Sequence, residues 1–183
     1  MNYVRGFAPW LCYAALTPVD WRLGTCAAAL AALCLLIGQL RARSVDLLGT
    51  GTCGFFVAMA GVALADPASG LQHWICALAN GTLAATALTS IAVRRPFTSS
   101  FARAQVPPEF WNAPRFIRVN MVLTSIWAAA FTIAALACAA IVHYAHAAAL
   151  PLITVQILGF VIPFVSSGRY AEQAKAASGR AMA

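Results

Sequence analysis

The chain has 183 residues, of which 62% are hydrophobic and only 9% are charged. Ordinary soluble domains carry about 25% charged residues, so this composition excludes a soluble globular protein. Lysine and arginine number 12 against five acidic residues, a net charge of +7. Because the basic residues flank long apolar runs, they indicate membrane topology and contact with lipid headgroups rather than nucleic-acid binding.

Six apolar runs follow one another along the chain, and each is a candidate membrane-spanning helix. A helix needs about 20 apolar residues to cross the hydrocarbon core. The first run is short and contains Pro9, so five spans with a re-entrant first segment are the alternative. We expect this run to be retained rather than cleaved as a signal peptide. The predicted spans are 7–19, 25–40, 45–65, 71–93, 117–142 and 147–165.

The basic residues fall on one side of the membrane when the chain is threaded through six spans. Eleven of them lie on the inner face if the N-terminus is inside, and the outer face then receives only Arg22, with Asp20 and Asp66. Cytoplasmic loops are enriched in lysine and arginine, so both termini are predicted to be cytoplasmic. We expect a single all-α bundle over residues 1–168, with a cytoplasmic loop at 94–116 and a polar C-terminal tail at 169–183.

Residues 94–118, the basic loop, contain five of the eleven inner basic residues. Prolines break this loop into short pieces. The sequence of residues 97–103 predicts about two helical turns with Phe97 and Phe101 on one face. We expect this short helix to lie in the headgroup layer. Glu109 is expected to be an ion-pair partner. The candidate residues for binding lipid or a protein partner are Arg94, Arg95, Arg103, Trp111, Arg115, Arg118 and Asn120. Asn120 is expected to bond a neighbouring helix.

A second candidate site lies on the predicted outer face, where three histidines and an aspartate collect. His143 and His146 are three residues apart and therefore share one helical face, which is a spacing for two ligands to one metal ion. Together with His73 and Asp66 they form a candidate metal or proton site. The alternative is that these histidines simply face water at the interface.

Several other patterns are better explained by packing than by chemistry. Residues 49–54 match G-x-G-x-x-G, but a dinucleotide site needs a strand before the glycines, whereas these lie in an apolar run that continues with Gly54, Ala58 and Gly61 at helical spacing. Asp46 is expected at a helix N-terminus, paired with an arginine. The six cysteines form no CxxC pair and are expected to be small packing residues.

Four larger polar side chains, Gln39, Asn80, Asn120 and Gln156, fall within the spans. They either line a polar path or form hydrogen bonds between helices, and the second role is the commoner one. No catalytic motif and no cofactor motif in its required context is found, so no cofactor is expected.

The segment from Arg95 to Trp127 resembles the bacterial intracellular septation protein A family. The resemblance rests on Arg95-Pro96-Phe97, Arg103, residues 106–111, Arg118-Val119-Asn120 and Trp127. An insertion at residues 112–114 makes the chain look closer to a sister branch of that family. The resemblance implies a multi-pass protein of the bacterial inner membrane that supports envelope integrity and division through other inner-membrane proteins.

These observations predict a non-enzymatic membrane protein that supports envelope organisation or division through lipid or protein contacts. A small-solute or ion transporter or channel is the alternative. An intramembrane enzyme acting on lipid is a third class, and it would have to use Asp46, Glu109 or the outer histidines.

Overall fold

The protein is described by a computed structural model over residues 2–17, 19–104, 106–145 and 149–180. Within these ranges the chain is helical, with no strand. The helices are α1 (Asn2–Leu16), α2 (Trp21–Arg41), α3 (Leu47–Ala65), α4 (Leu71–Ala92), α5 (Thr98–Ala102), α6 (Pro114–Tyr144) and α7 (Ala149–Arg180), with a 3-10 turn at Pro108–Phe110. Helices α2, α3, α4, α6 and α7 are long and apolar enough to cross a membrane.

This architecture confirms the predicted all-α fold, and its five long apolar helices are consistent with a membrane protein. The six-span count and the orientation of the termini stay predictions. Helix α1 has 15 residues and rises about 22 Å, less than the hydrocarbon core of about 30 Å. Helix α7 runs on to Arg180, so much of the predicted polar tail continues the last helix.

Burial follows the pattern of a membrane protein. Large apolar side chains such as Leu136 (67% exposed) and Phe164 (72% exposed) cover the outside. The buried set is rich in alanine and includes Asn80, Asn120 and Thr25. Soluble proteins bury Leu, Ile and Phe and expose amides, whereas helices in lipid associate through small residues and buried polar groups.

Residues Met1–Ile75 form one of two compact units. In this unit α2 packs against both α1 and α3 through a face of small residues that includes Ala28 and Ala32. A Cβ on Gly24 would overlap Thr17 Oγ1 at the end of α1, so glycine allows the two backbones to approach closely. Trp10 of α1 stacks on Phe55 and meets Phe56 edge-on, with ring centroids 5.7 and 4.7 Å apart.

The second unit is Cys76–Ala183, in which α6 packs against α7 and α5 packs against α6. Trp127 and Phe131 of α6 surround Phe160 of α7, with centroids 5.9 and 6.0 Å away. Cys76 of α4 and Cys138 of α6 form a disulfide, with Cα atoms 6.0 Å apart. The expectation that all six cysteines are unpaired packing residues was therefore wrong, because a pairing across 62 residues leaves no local spacing signal.

Helices α2 and α4 end in the same way, with an arginine in the left-handed conformation. Arg43 has φ 49° and Arg94 has φ 55°. In each case the arginine N–H bonds a carbonyl three residues back, and the next N–H bonds one five residues back. This is the Schellman arrangement, in which glycine is the usual left-handed residue.

Asp46 is the N-cap of α3 and accepts the Gly49 N–H at 2.6 Å, which confirms its predicted place. Its side-chain partner is Gln39 Nε2 at 2.7 Å rather than an arginine.

The expected packing of Gly54, Ala58 and Gly61 was wrong within the described chain. All three are exposed, and a Cβ on either glycine would meet no atom within 4 Å.

Candidate functional site: the basic loop between α4 and α6

The basic loop begins where α4 ends, and its first residues are held by the helix itself. Ser90 Oγ donates to the Ala87 carbonyl at 2.7 Å and accepts the Phe97 N–H at 3.2 Å. Phe97 is only 7% exposed. The predicted helix in this region is confirmed as α5, but its expected contact with lipid through Phe97 was wrong because that ring is buried in the protein.

Helix α5 is fixed to α6 by a buried hydroxyl. Thr98 Oγ1 donates to the Asn120 carbonyl at 3.0 Å and lies 2.9 Å from Thr124 Oγ1. The expectation that the Asn120 side chain bonds another helix was wrong for its amide nitrogen, which donates to Phe116 of its own helix at 2.9 Å. Asn120 Oδ1 is buried and has no partner among the described residues. The loop is therefore attached to α6 chiefly through the Asn120 backbone.

The middle of the loop is organised by Trp111. Its indole N–H donates to the Val106 carbonyl at 2.8 Å, and the Arg103 guanidinium carbon lies 5.1 Å from the centre of its ring. A guanidinium within about 6 Å of an indole is attracted to the face of the ring. This contact orients Arg103 while leaving it exposed.

All five arginines of the loop, Arg94, Arg95, Arg103, Arg115 and Arg118, are exposed. Five arginines and one glutamate leave a net charge of +4 over residues 94–118. The ion pair seen in the described part of the chain that lies outside the loop joins Asp20 and Arg22, and the expected pairing of Glu109 with a loop arginine stays a prediction. The loop therefore presents an exposed surface with a net positive charge.

The candidate metal residues that the structure describes fall in both units, with Asp66 and His73 in the first and His143 in the second. Asp66 ends α3 and accepts the Ala68 N–H at 3.2 Å, and His73 Nδ1 lies 3.3 Å from the Gly70 carbonyl. His143 packs edge-on against Tyr144 at 4.6 Å, and His146 lies outside the described residues. No group of three metal-ligating side chains occurs within the described ranges, and the metal or proton site stays a prediction.

A polar cavity in the first unit was not predicted from the sequence. Its volume is about 630 Å³, and its walls include Tyr13, Asp20, Trp21, Arg22 and His73. Asp20 is the N-cap of α2, and the Arg22 side chain that donates to it holds the pKa of its carboxyl below the ordinary value. The adjacent residues Asp20, Trp21 and Arg22 were the available sequence signal. His73, which forms another wall, lies at the start of α4 and is distant in sequence.

The two large polar side chains in the middle of the second unit bond each other. Asn80 Nδ2 donates to Gln156 Oε1 at 2.6 Å and to the Cys76 carbonyl at 2.9 Å. Helices α6 and α7 are antiparallel, since Phe131 meets Phe160 and Ala134 lies beside Gly159. Along the helix axes, the rings of Trp127, Phe131 and Phe160 therefore lie between Gln156 and Thr124.

No protein-family model, no curated protein and no solved structure matches this chain.

Proposed function

We propose that this chain is a non-enzymatic, multi-pass protein of a bacterial inner membrane, and that its basic loop binds acidic phospholipids and thereby supports envelope organisation. The observation that carries the proposal is the set of exposed arginines on a loop that is anchored by the buried side chains of Phe97 and Thr98. The cell-envelope role and the compartment rest on the resemblance to the septation protein A family.

Lipid phosphate is the partner that best fits the chemistry of the loop. The loop joins the ends of α4 and α6, two candidate spans, so its arginines lie at the depth where headgroups begin. Guanidinium groups bind phosphate through paired hydrogen bonds. Each basic residue near an acidic membrane surface contributes about 1 kcal/mol, so several together give a strong preference for acidic headgroups.

The anchoring of the loop supports binding because it lowers the ordering cost. Phe97 and Thr98 are buried, and the Trp111 indole holds both the loop backbone and the Arg103 guanidinium. A binding surface that is ordered beforehand loses less entropy when its ligand arrives.

The transporter alternative has less support from the same unit. A polar path would need to connect the Asn80–Gln156 pair with Thr124. The aromatic rings of α6 and α7 described above lie between them along the helix axes. Phe131 is only 2% exposed. Asn80 and Gln156 also satisfy each other, as expected for a contact between helices.

The experiment is a lipid competition on the full-length protein in nanodiscs that contain phosphatidylcholine and phosphatidylglycerol. Spin-labelled lipids of both headgroups report the relative association constant. The variant Arg94→Gln/Arg95→Gln/Arg118→Gln should lose about 3 kcal/mol of preference for phosphatidylglycerol, which is more than about 100-fold. Arg41→Gln is the single-charge control, since Arg41 is an exposed arginine outside the loop at the end of α2, and it should lose at most about 1 kcal/mol of preference.

Two results would overturn the proposal. One is a wild-type protein with no preference for the acidic lipid at low salt. The other is an equal loss in the triple variant and in Arg41→Gln, because three loop arginines would then contribute no more than one arginine outside the loop. If the loop binds a protein instead, the triple variant should keep the lipid preference of the wild type. It should then lose the crosslinks to that protein that a photoreactive residue at position 110 forms when the three arginines are present.

A further inference from the structure

The cavity in the first unit lies where helices begin and end. Helix α2 begins at Trp21, α3 ends at Ala65 and α4 begins at Leu71, and the cavity walls come from these turns and the end of α1. Candidate spans start and stop at this level, so the cavity opens at the depth of lipid headgroups. Its volume, about 630 Å³, is within the usual range for ligand pockets of about 300–1,000 Å³.

The cavity carries one accessible charge of each sign. Arg22 Nη2 and Nε lie 3.0 and 3.1 Å from Asp20 Oδ2, and the Arg22 N–H donates to Oδ1 at 2.7 Å. The side chains are 47% and 29% exposed, so both remain open to a ligand. An anion would meet the Asp20 carboxylate, and a cation would meet the Arg22 guanidinium. A ligand that carries both charges can place its anionic group on the Arg22 guanidinium and its cationic group on the Asp20 carboxylate.

The hydrogen-bonding groups fit a phosphate and an ammonium. Arg22 Nη1 donates to none of the described residues, so its two N–H groups are available for phosphate oxygens. The Trp21 ring is held in the wall because its indole N–H donates to the Pro67 carbonyl at 3.0 Å. Asp20 and Trp21 both line the cavity, and a carboxylate together with an aromatic ring favours the binding of an ammonium group.

Apolar side chains beside the cavity indicate a lipid rather than a soluble zwitterion. Val19 lines the cavity and is 76% exposed. Leu23, one residue beyond Arg22, is 54% exposed. These surfaces would contact the upper part of an acyl chain whose headgroup occupies the cavity.

We propose that this cavity binds the headgroup of a zwitterionic phospholipid, with the phosphate on Arg22 and the ammonium between Asp20 and the Trp21 ring. By the charge asymmetry of the sequence, this lipid belongs to the outer leaflet. The site is independent of the basic loop, which takes acidic lipids and uses other residues.

The test is native mass spectrometry of the full-length protein in detergent, with phosphatidylethanolamine and phosphatidylglycerol of the same acyl chains. The wild type should retain phosphatidylethanolamine at least about 10-fold better at one site. Arg22→Gln should remove that site's preference. Asp20→Asn should reverse it toward phosphatidylglycerol, because one negative charge is lost while asparagine still caps the helix.

Four controls make the result specific. Arg41→Gln should retain the wild-type preference. Arg22→Lys keeps the charge, so it should retain most of the preference and thereby separate loss of binding from loss of fold. Circular dichroism on each variant checks the helix content. The triple variant of the basic loop should also retain this preference.

The proposal fails if the wild type does not discriminate between the two lipids at any site, or if Asp20→Asn leaves the preference unchanged. It also fails if glycerophosphoethanolamine, which has no acyl chains, competes as strongly as the intact lipid. That last result would assign the cavity to a soluble zwitterion.

Discussion

The side-chain amide of Asn80 on α4 donates a 2.6 Å hydrogen bond to Gln156 Oε1 on α7, 76 residues away. Asn80 is 2% exposed. The Asn80 amide nitrogen is the donor and the Gln156 side-chain oxygen is the acceptor, so this hydrogen bond joins two helices of the second unit.

The losses of stability caused by replacing Asn80 and Gln156 should not be additive. We expect Asn80→Leu or Gln156→Leu alone to lower the free energy of unfolding by about 1 kcal/mol, because the remaining amide is left unpaired. The double variant should cost less than the sum of the two. Unfolding by SDS in mixed micelles, followed by circular dichroism, measures this coupling. Additive losses would mean that the bond has no energetic role.

The attachment of the basic loop should depend on one hydroxyl group. Thr98→Val removes the bond to the Asn120 carbonyl and should make opening of α5 easier by about 1 kcal/mol, so trypsin should cleave after Arg103 about fivefold faster. Thr98→Ser retains the hydroxyl and should behave like the wild type. Ser99→Ala is a second control, since Ser99 bonds only the nearby Pro96 carbonyl. Equal cleavage in all variants would contradict this account.

The cysteines should divide into one pair and four thiols. Maleimide-polyethylene glycol added to the unreduced, denatured protein should modify Cys12, Cys26, Cys34 and Cys53, giving four adducts. After reduction all six cysteines should react. Cys138→Ser should give five adducts in both conditions, while Cys53→Ser should give three before reduction and five after it. Six adducts in the unreduced wild type would exclude the Cys76–Cys138 bond.

The end of α2 should become more stable when Arg43 is replaced by glycine. Residues other than glycine pay about 1 kcal/mol to adopt a left-handed conformation, so Arg43→Gly should raise the free energy of unfolding by roughly that amount. Arg41→Gly is the matched control, because Arg41 is the last residue of α2 and glycine there should be destabilising. The same SDS titration distinguishes the two, and a loss of stability in both would refute the expectation.

The apolar runs predicted most of the helices well. The run at 71–93 became α4 (Leu71–Ala92), and the run at 45–65 became α3 (Leu47–Ala65), because hydropathy is the main determinant of a span. Helix α7 extends beyond its predicted end because hydropathy does not register an alanine-rich polar segment, which still favours helix.

The sites were predicted less well because they depend on contacts between distant residues. Residues 94–118 were recognised from charge and from the Pro and Trp pattern, but the burial of Phe97 depends on Ser90 and α6. The cavity of the first unit depends on the hydrogen bond from Trp21 to the Pro67 carbonyl, which spans 46 residues. Local periodicity carries no information about such pairs.

Arg43 and Arg94 each combine two signals in one residue, and this matters when the chain is inserted into the membrane. Each arginine forms the left-handed turn that ends a hydrophobic helix, and each also carries a charge that resists translocation. Glycine would make the same turn more easily but would leave the direction of insertion to the remaining arginines. In the predicted topology, the backbone position that ends an apolar helix is therefore also the position whose charge favours retention on the inner side of the membrane.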